Sequence, residues 1–235
     1  MQILEKALAE GRSALSEYEA KQFLKTYQIP VTRERAVTDE EGLKAAIEEI
    51  GFPLVLKGCA STIAHKTGKG LIEVDIRNME EAIDAFQNIM ANMSDPAVVA
   101  FSTLAESAED SQVLVQEMIK GQRELVVGLT RDPQFGPCVM FGLGGIFTEV
   151  LKDISFRVAP LEKHDALEMM SEIKAHKILD AVRGMPEADR DLLADILINV
   201  GRIGLENDAV KEIDINPLIL SGSKPVAVDA LIVLE

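Results

Sequence analysis

Two hydrophobic periods alternate along the first half of this chain. Apolar residues recur at helical spacing over 2–11, at Ala20, Phe23, Leu24 and Tyr27, and again over 38–50 and 78–93. Short extended runs lie between them, at 31–37, 53–57 (PLVLK) and 71–76. A period near 3.6 marks an amphipathic helix, whereas alternation or a short continuous apolar run marks a strand. Ser16-x-x-Glu19, Thr38-x-x-Glu41 and Asn78-x-x-Glu81 have the form of capping boxes and set three helix starts. Gly51 is placed to end the helix that begins near Thr38. Strands alternating with helices predict an α/β layer.

The second half reads differently. Strands are expected at 113–118 and 124–129, joined into a hairpin by Lys120-Gly121-Gln122-Arg123. Residues 137–141 form another strand, ending in Gly142-Leu-Gly-Gly145, and 147–158 is extended. Helices are expected over 163–174 and 190–205. The boundary falls at 115/116, giving an N-terminal segment and first lobe (1–115) and a second lobe (116–235), with a hinge within 116–121.

The tail, KEIDINPLILSGSKPVAVDALIVL over 211–234, concentrates the chemistry. A period of two puts Glu212, Asp214 and Asn216 on one face and Ile213 and Ile215 on the other. Ser221-Gly222-Ser223-Lys224 reads as a turn. A hairpin symmetric about Gly222/Ser223 sets Asn216 directly opposite Asp229, with Cβ atoms about 4.5–5.5 Å apart. A carboxylate inside an apolar strand is costly unless paired or bound to a cation. An Asn carbonyl beside an Asp carboxylate offers the hard oxygens that Mg²⁺ takes, with phosphates and water completing the shell. An Asp that caps a bend or pairs with a lysine would give the same pattern.

Composition narrows the choice. Of 235 residues, 47% are apolar, enough for a sizeable core. The formal net charge of −15 argues against nucleic acid or an anionic membrane surface as partner. Two cysteines without a CxxC suit a reducing compartment, and no apolar run has the length of a membrane span. A cytoplasmic protein is expected.

Further candidates are individually weak. Lys57 ends an apolar strand, where it could meet a phosphate as a point charge or snorkel at a strand edge. The loop CASTIAHKTGKG (59–70) combines Lys66, Gly68 and Gly70 with His65. Glycines let a backbone fold over phosphates, and a neutral imidazole is a nucleophile towards phosphorus. The loop lacks the Walker A spacing. Gly142-Leu-Gly-Gly145 could admit a phosphate or form a tight turn. Arg157 alternates with Phe156 and Val158, so it is expected to point away from the core, to clamp a γ-phosphate or pair with a surface acid.

The runs TRDPQFGPCVMFGLGGIFTEVLKDISFRVAPL (130–161) and EIDINPL (212–218) resemble the ATP-grasp β subunit of the ADP-forming acetyl-CoA synthetases. The opening SEYEAKQFLKTYQIPV is similar to the start of the succinyl-CoA synthetase β subunit. The resemblance spans essentially the whole chain. It implies an α/β (α+β) ATP-grasp fold, two lobes with nucleotide between them, and Mg²⁺-dependent phosphoryl transfer involving ATP or ADP. It also implies a CoA-binding α partner carrying a phosphohistidine, in an α2β2 assembly. By position it places Lys57 at the phosphates, Gln116, Glu117 and Met118 at the adenine, and Glu124 near the ribose. Asn216 and Asp229 become the metal ligands, Asp214 lies near the transferring phosphoryl, and His65 is a second phosphoryl carrier. Leu71 stands where the family loop usually has a second glycine. Two other readings remain: a stand-alone ATP-grasp ligase joining a carboxylate to an amine, and a nucleotide-sensing module of an acyltransferase.

Overall fold

Asp39 and Asn78 each begin a helix by turning a side-chain oxygen onto a backbone N–H that the helix itself cannot satisfy. Asp39 accepts from Gly42 N–H at 2.7 Å, and Asn78 from Glu81 N–H at 3.0 Å. Glu81 answers by accepting from Arg77 N–H and Asn78 Nδ2. The expected cap at Thr38 is thus displaced by one residue. The Asp39 carboxylate is the stronger acceptor, and it sits where α3 (Glu40–Ile50) starts. Gly51, at φ +81°, closes that helix by donating to Ile47 O.

The computed structural model describes residues 2–59, 70–94, 112–145 and 152–235. They form two units, one of Ser16–Tyr18 and Thr32–Met118, the other of Met1–Leu15, Glu19–Val31 and Ile119–Glu235. In the first unit, β1 (Glu34–Val37), β2 (Leu54–Cys59), β3 (Ile72–Ile76) and β4 (Gln112–Glu117) form an antiparallel sheet in the order β1-β4-β2-β3. Val37, Leu54, Leu56, Val113 and Val115 point to one face. There they pack with Leu43 and Ile47 of α3 and Phe86 and Ile89 of α4 (Met79–Met93).

The second unit holds β5 (Glu124–Asp132), β6 (Gly136–Leu143), β7 (Ile154–Val158), β8 (Val210–Ser221), β9 (Lys224–Ala227) and β10 (Ala230–Leu234). Their order is β10-β8-β5-β6-β7, with β9 also paired to β8. Val127, Leu129, Val139, Phe141, Ile213 and Ile215 share one apolar core with α5 (Lys163–Glu172) and α6 (Arg190–Glu206). Leu4 of α1 (Gln2–Ala9) and Phe23 and Leu24 of α2 (Glu17–Thr26) belong to the same core.

Two expectations are corrected. Residues 120–123 do not turn a hairpin, because β4 pairs with β1 and β2 while β5 pairs with β6 and β8. A polar run between two apolar strands looks the same whether the strands pair or enter different sheets. Arg123 is no turn residue either. Its guanidinium is buried and donates to the carbonyls of Ile178, Asp180, Pro186 and Gly222. Leaving such buried carbonyls unmatched costs about 1–3 kcal/mol each. The other correction concerns the single boundary at 115/116. Most of the first 31 residues group with 119–235, because the free edge of β10 takes up the backbone near Ala14. Leu15 N–H donates to Ile232 O, Leu234 N–H to Ser13 O, and Ala227 N–H to Pro30 O. An open strand edge is a row of unsatisfied donors and acceptors, and these bonds satisfy part of it.

Candidate functional site

The tail hairpin folds in the register that its turn chemistry dictates. Ser221 pairs with Lys224, Leu220 with Pro225, and Leu218 with Ala227. Beyond a short break, the same register resumes with Ile215 opposite Ala230 and Asp214 opposite Leu231. Asn216 and Asp229 therefore face each other across the break, both half-buried. Within it, Val228 N–H donates to Pro217 O at 3.0 Å. Ile213 and Ile215 enter the core, so Glu212, Asp214 and Asn216 line the face away from the helices.

The charge on this face is concentrated. Burial, and after it the charges of Glu212 and Asp229, together push the Asp214 carboxyl up to about 6. A negative field of this kind is what a bound cation relieves. Among the described residues no group of three His, Cys, Asp or Glu side chains forms a ready metal cage. An Asn/Asp oxygen pair completed by water and phosphate fits Mg²⁺, which keeps such ligands. The raised value has a sign that can be measured. Asp214 holds its proton more tightly folded than unfolded, so the folded chain is favoured at low pH and loses that advantage as pH rises through about 6. Asp214→Asn should stabilise the metal-free chain above pH 6 by about 1–2 kcal/mol, after allowance for solvent screening. Melting curves at pH 5 and pH 8 check this: a gain of equal size at both pH values would refute the assignment.

In the four-stranded sheet, Lys57 lies opposite Leu114 and Val55 opposite Gln116. Alternation therefore places Lys57 and Gln116 on one face, the face away from α3 and α4. Strand β2 runs on to Cys59 and lies inside the sheet, so Lys57 is neither at a strand end nor at an edge. Its ammonium meets the Glu17 carboxylate at 2.7 Å, with side chains only 6% and 3% exposed. Gln116 is fully buried. The Glu117 carboxylate accepts from the backbone N–H and Nε of Arg33, and Met118 N–H donates to Pro53 O. In Gly70, at φ +65°, a Cβ would lie 2.7 Å from the Asn92 side chain, whose amide instead donates to Gly70 O. Leu71 is fully buried in the core of this unit. His65, Lys66 and Gly68 lie outside the described residues.

The glycine run at 142–145 makes room for the protein itself. A Cβ on Gly142 would strike Asp153 O, one on Gly144 the Leu125 backbone, and one on Gly145 the Glu124 carboxylate. Arg157 is a correction. Phe156 and Val158, each 46% exposed, occupy the open face of β7, and Arg157 projects from the other. There its guanidinium pairs with Glu172 at 2.6 Å and Glu168 at 3.5 Å. Side chains alternate along a strand, so exposed neighbours put Arg157 towards α5. The surface-acid alternative describes its contacts, and a phosphate clamp would have to displace two carboxylates.

Sequence reasoning passed over Glu17, Lys21 and Arg123. The signal for the first two was present. Positions 17, 20, 21 and 24 share one face of a helix, so two charges interrupt the apolar stripe of α2. Lys21 is completely buried and its Nζ donates to Val228 O at 3.2 Å.

Two antiparallel sheets thus each carry charged side chains on the face away from their helices. The sequence model of the ATP-grasp domain matches residues 6–234. The chain belongs to the ATP-grasp family. Within it, the chain is 46% identical over 233 residues to the β subunit of acetate–CoA ligase [ADP-forming] I of Pyrococcus furiosus, covering 99% of this chain and 97% of that one. Among solved ATP-grasp structures, acetyl-coenzyme A synthetase 1 of Ca. Korarchaeum cryptofilum in complex with coenzyme A, Ca-AMPCP and HgCl⁺ superposes with a TM-score of 0.90. It is 44% identical, with 100% of this chain and 99% of that chain covered. A second structure of that enzyme, with coenzyme A and Mg-AMPPCP, has its phosphohistidine segment pointing towards the nucleotide-binding site. It gives a TM-score of 0.84 at 43% identity over 100% and 99% of the chains. These relatives place the chain among the ATP-grasp β subunits of ADP-forming acyl-CoA synthetases. No helix among the described residues is long and apolar enough to cross a membrane.

Proposed function

We propose that this chain is the nucleotide-handling β subunit of an ADP-forming acetate–CoA ligase. It exchanges a phosphoryl group between ADP or ATP and a phosphohistidine on a CoA-binding α partner, in a cytoplasmic α2β2 assembly. The observation that carries this reading is the facing pair Asn216/Asp229 beside the raised carboxyl of Asp214. Asn216 and Asp229 hold Mg²⁺, which when bound neutralises the phosphate oxygens of the nucleotide. Lys57 supplies a second positive charge to the phosphates, and Lys66, Gly68 and Gly70 contribute to binding them. Gln116, Glu117 and Met118 flank the base, Glu124 the ribose. Asp214 lies beside the transferring group.

His65 acts as relay. Its imidazole nitrogen forms an N–P bond as the partner's N–P bond breaks, and that bond breaks in turn as a terminal oxygen of ADP bonds to phosphorus. The test is ATP formation from acetyl-CoA, phosphate and ADP by the full chain with its partner. The chain alone should make none, and turnover by the single chain would favour the stand-alone ligase. His65→Ala should leave Mg·ADP affinity and phosphorylation of the partner near wild type while stopping transfer to ADP. ATP formation by that variant at near the wild-type rate would make transfer from the partner direct.

A further inference from the structure

Residues 228 and 229 belong to neither β9 nor β10 and lie where the pairing with β8 is interrupted. This is nevertheless where Asp229 must be held opposite Asn216. Val228 is gripped at both ends instead. Its N–H donates to the carbonyl of Pro217, the residue after Asn216, and its own carbonyl accepts from Lys21 Nζ. Lys21 comes from a rigid base, because Ala20, Phe23 and Leu24 on the same helix are fully buried. A buried ammonium is a costly way to fill space, and methionine would fill it without desolvating a charge.

We propose that Lys21 is a positioning residue for the cation pair, fixing the Val228 peptide and, through its bond to Pro217, the separation of Asn216 and Asp229. The inference rests on the proposed Mg²⁺ site and adds to it a residue that acts through the Val228 peptide. Residues that orient metal ligands in this way typically change metal affinity about 10–100-fold.

The test is calorimetric binding of ADP to the full chain, with Mg²⁺ and with EDTA, for wild type, Lys21→Met and Lys21→Gln. At a temperature where it stays folded, Lys21→Met should bind metal-free ADP as wild type does, while its affinity for Mg·ADP falls about tenfold. Lys21→Gln, which keeps an N–H donor, should recover part of that loss and serves in place of the Met variant if that one does not fold. Equal weakening with and without Mg²⁺ would make Lys21 purely structural and overturn the proposal. So would full retention of the Mg²⁺ effect in both variants. A wild-type chain whose ADP binding ignores Mg²⁺ would overturn the cation site itself, and the inference with it.

Discussion

Asp229→Asn should keep the fold and lose Mg²⁺-dependent nucleotide binding, with phosphoryl transfer in the complex falling by about 10²–10³. The side chain keeps its shape, so packing at the break between β9 and β10 is undisturbed. It gives up the one charged ligand of the pair, and an Asn/Asn pair is a poor site for a hard cation. Removing that charge also removes one of the causes that raise Asp214, so the Asp214 carboxyl should titrate lower in the variant. Calorimetry of Mg·ADP binding and the coupled assay check the first part, and carboxyl NMR the second. A sharp loss of metal-free stability with unchanged Mg·ADP binding would show that Asp229 serves as an ion-pair partner.

Lys57→Met should be the most damaging single change to stability. It removes the ammonium that the Glu17 carboxylate, 3% exposed, meets at 2.7 Å. Breaking a buried ion pair from one side costs about 3–5 kcal/mol, a fall in melting temperature of roughly 10 °C for a chain of this size. The double change Glu17→Gln/Lys57→Met should restore most of that stability, since a neutral pair no longer leaves a buried charge. It should not restore Mg·ADP affinity, because the phosphates still lack the ammonium. The two readouts thus separate what Lys57 does for the fold from what it does for the ligand. A Lys57→Met variant that melts with wild type would rule out the ion pair. The pair also has a bearing on catalysis: a phosphate that engages Lys57 must share its ammonium with Glu17.

Local features of this molecule were legible in the sequence wherever a short-range rule decides them. The hairpin register that opposes Asn216 and Asp229 follows from a turn of fixed length, and the strand pairing on both sides of the break obeys it. The helix starting at Asn78 and the stop at Gly51 follow from caps that act within four residues. Long-range partners were not legible. Whether Val113–Val115 pairs with 124–129 or with 54–59 depends on chain closure that no window of residues encodes. Arg123 looked like a turn residue because its four carbonyl partners come from segments some 55 to 99 positions away. Arg157 was assigned to the wrong face because alternation gives two faces and does not say which one the helices will cover. Lys57 was recognised by its strand, whereas its partner Glu17 is 40 positions earlier on a helix.

The bonds between 13–15 and 232–234 set an order on the birth of the molecule. Every described strand of the four-stranded sheet lies within residues 34–117, so these strands have all left the ribosome well before residues 232–234 are made. The backbone at Ser13 and Leu15 is made before that sheet, and its bonds to Ile232 and Leu234 wait until those residues have followed. Until residues 232–234 are made, the segment at 13–15 cannot form these bonds. A segment made before the four-stranded sheet can be locked in place only after it.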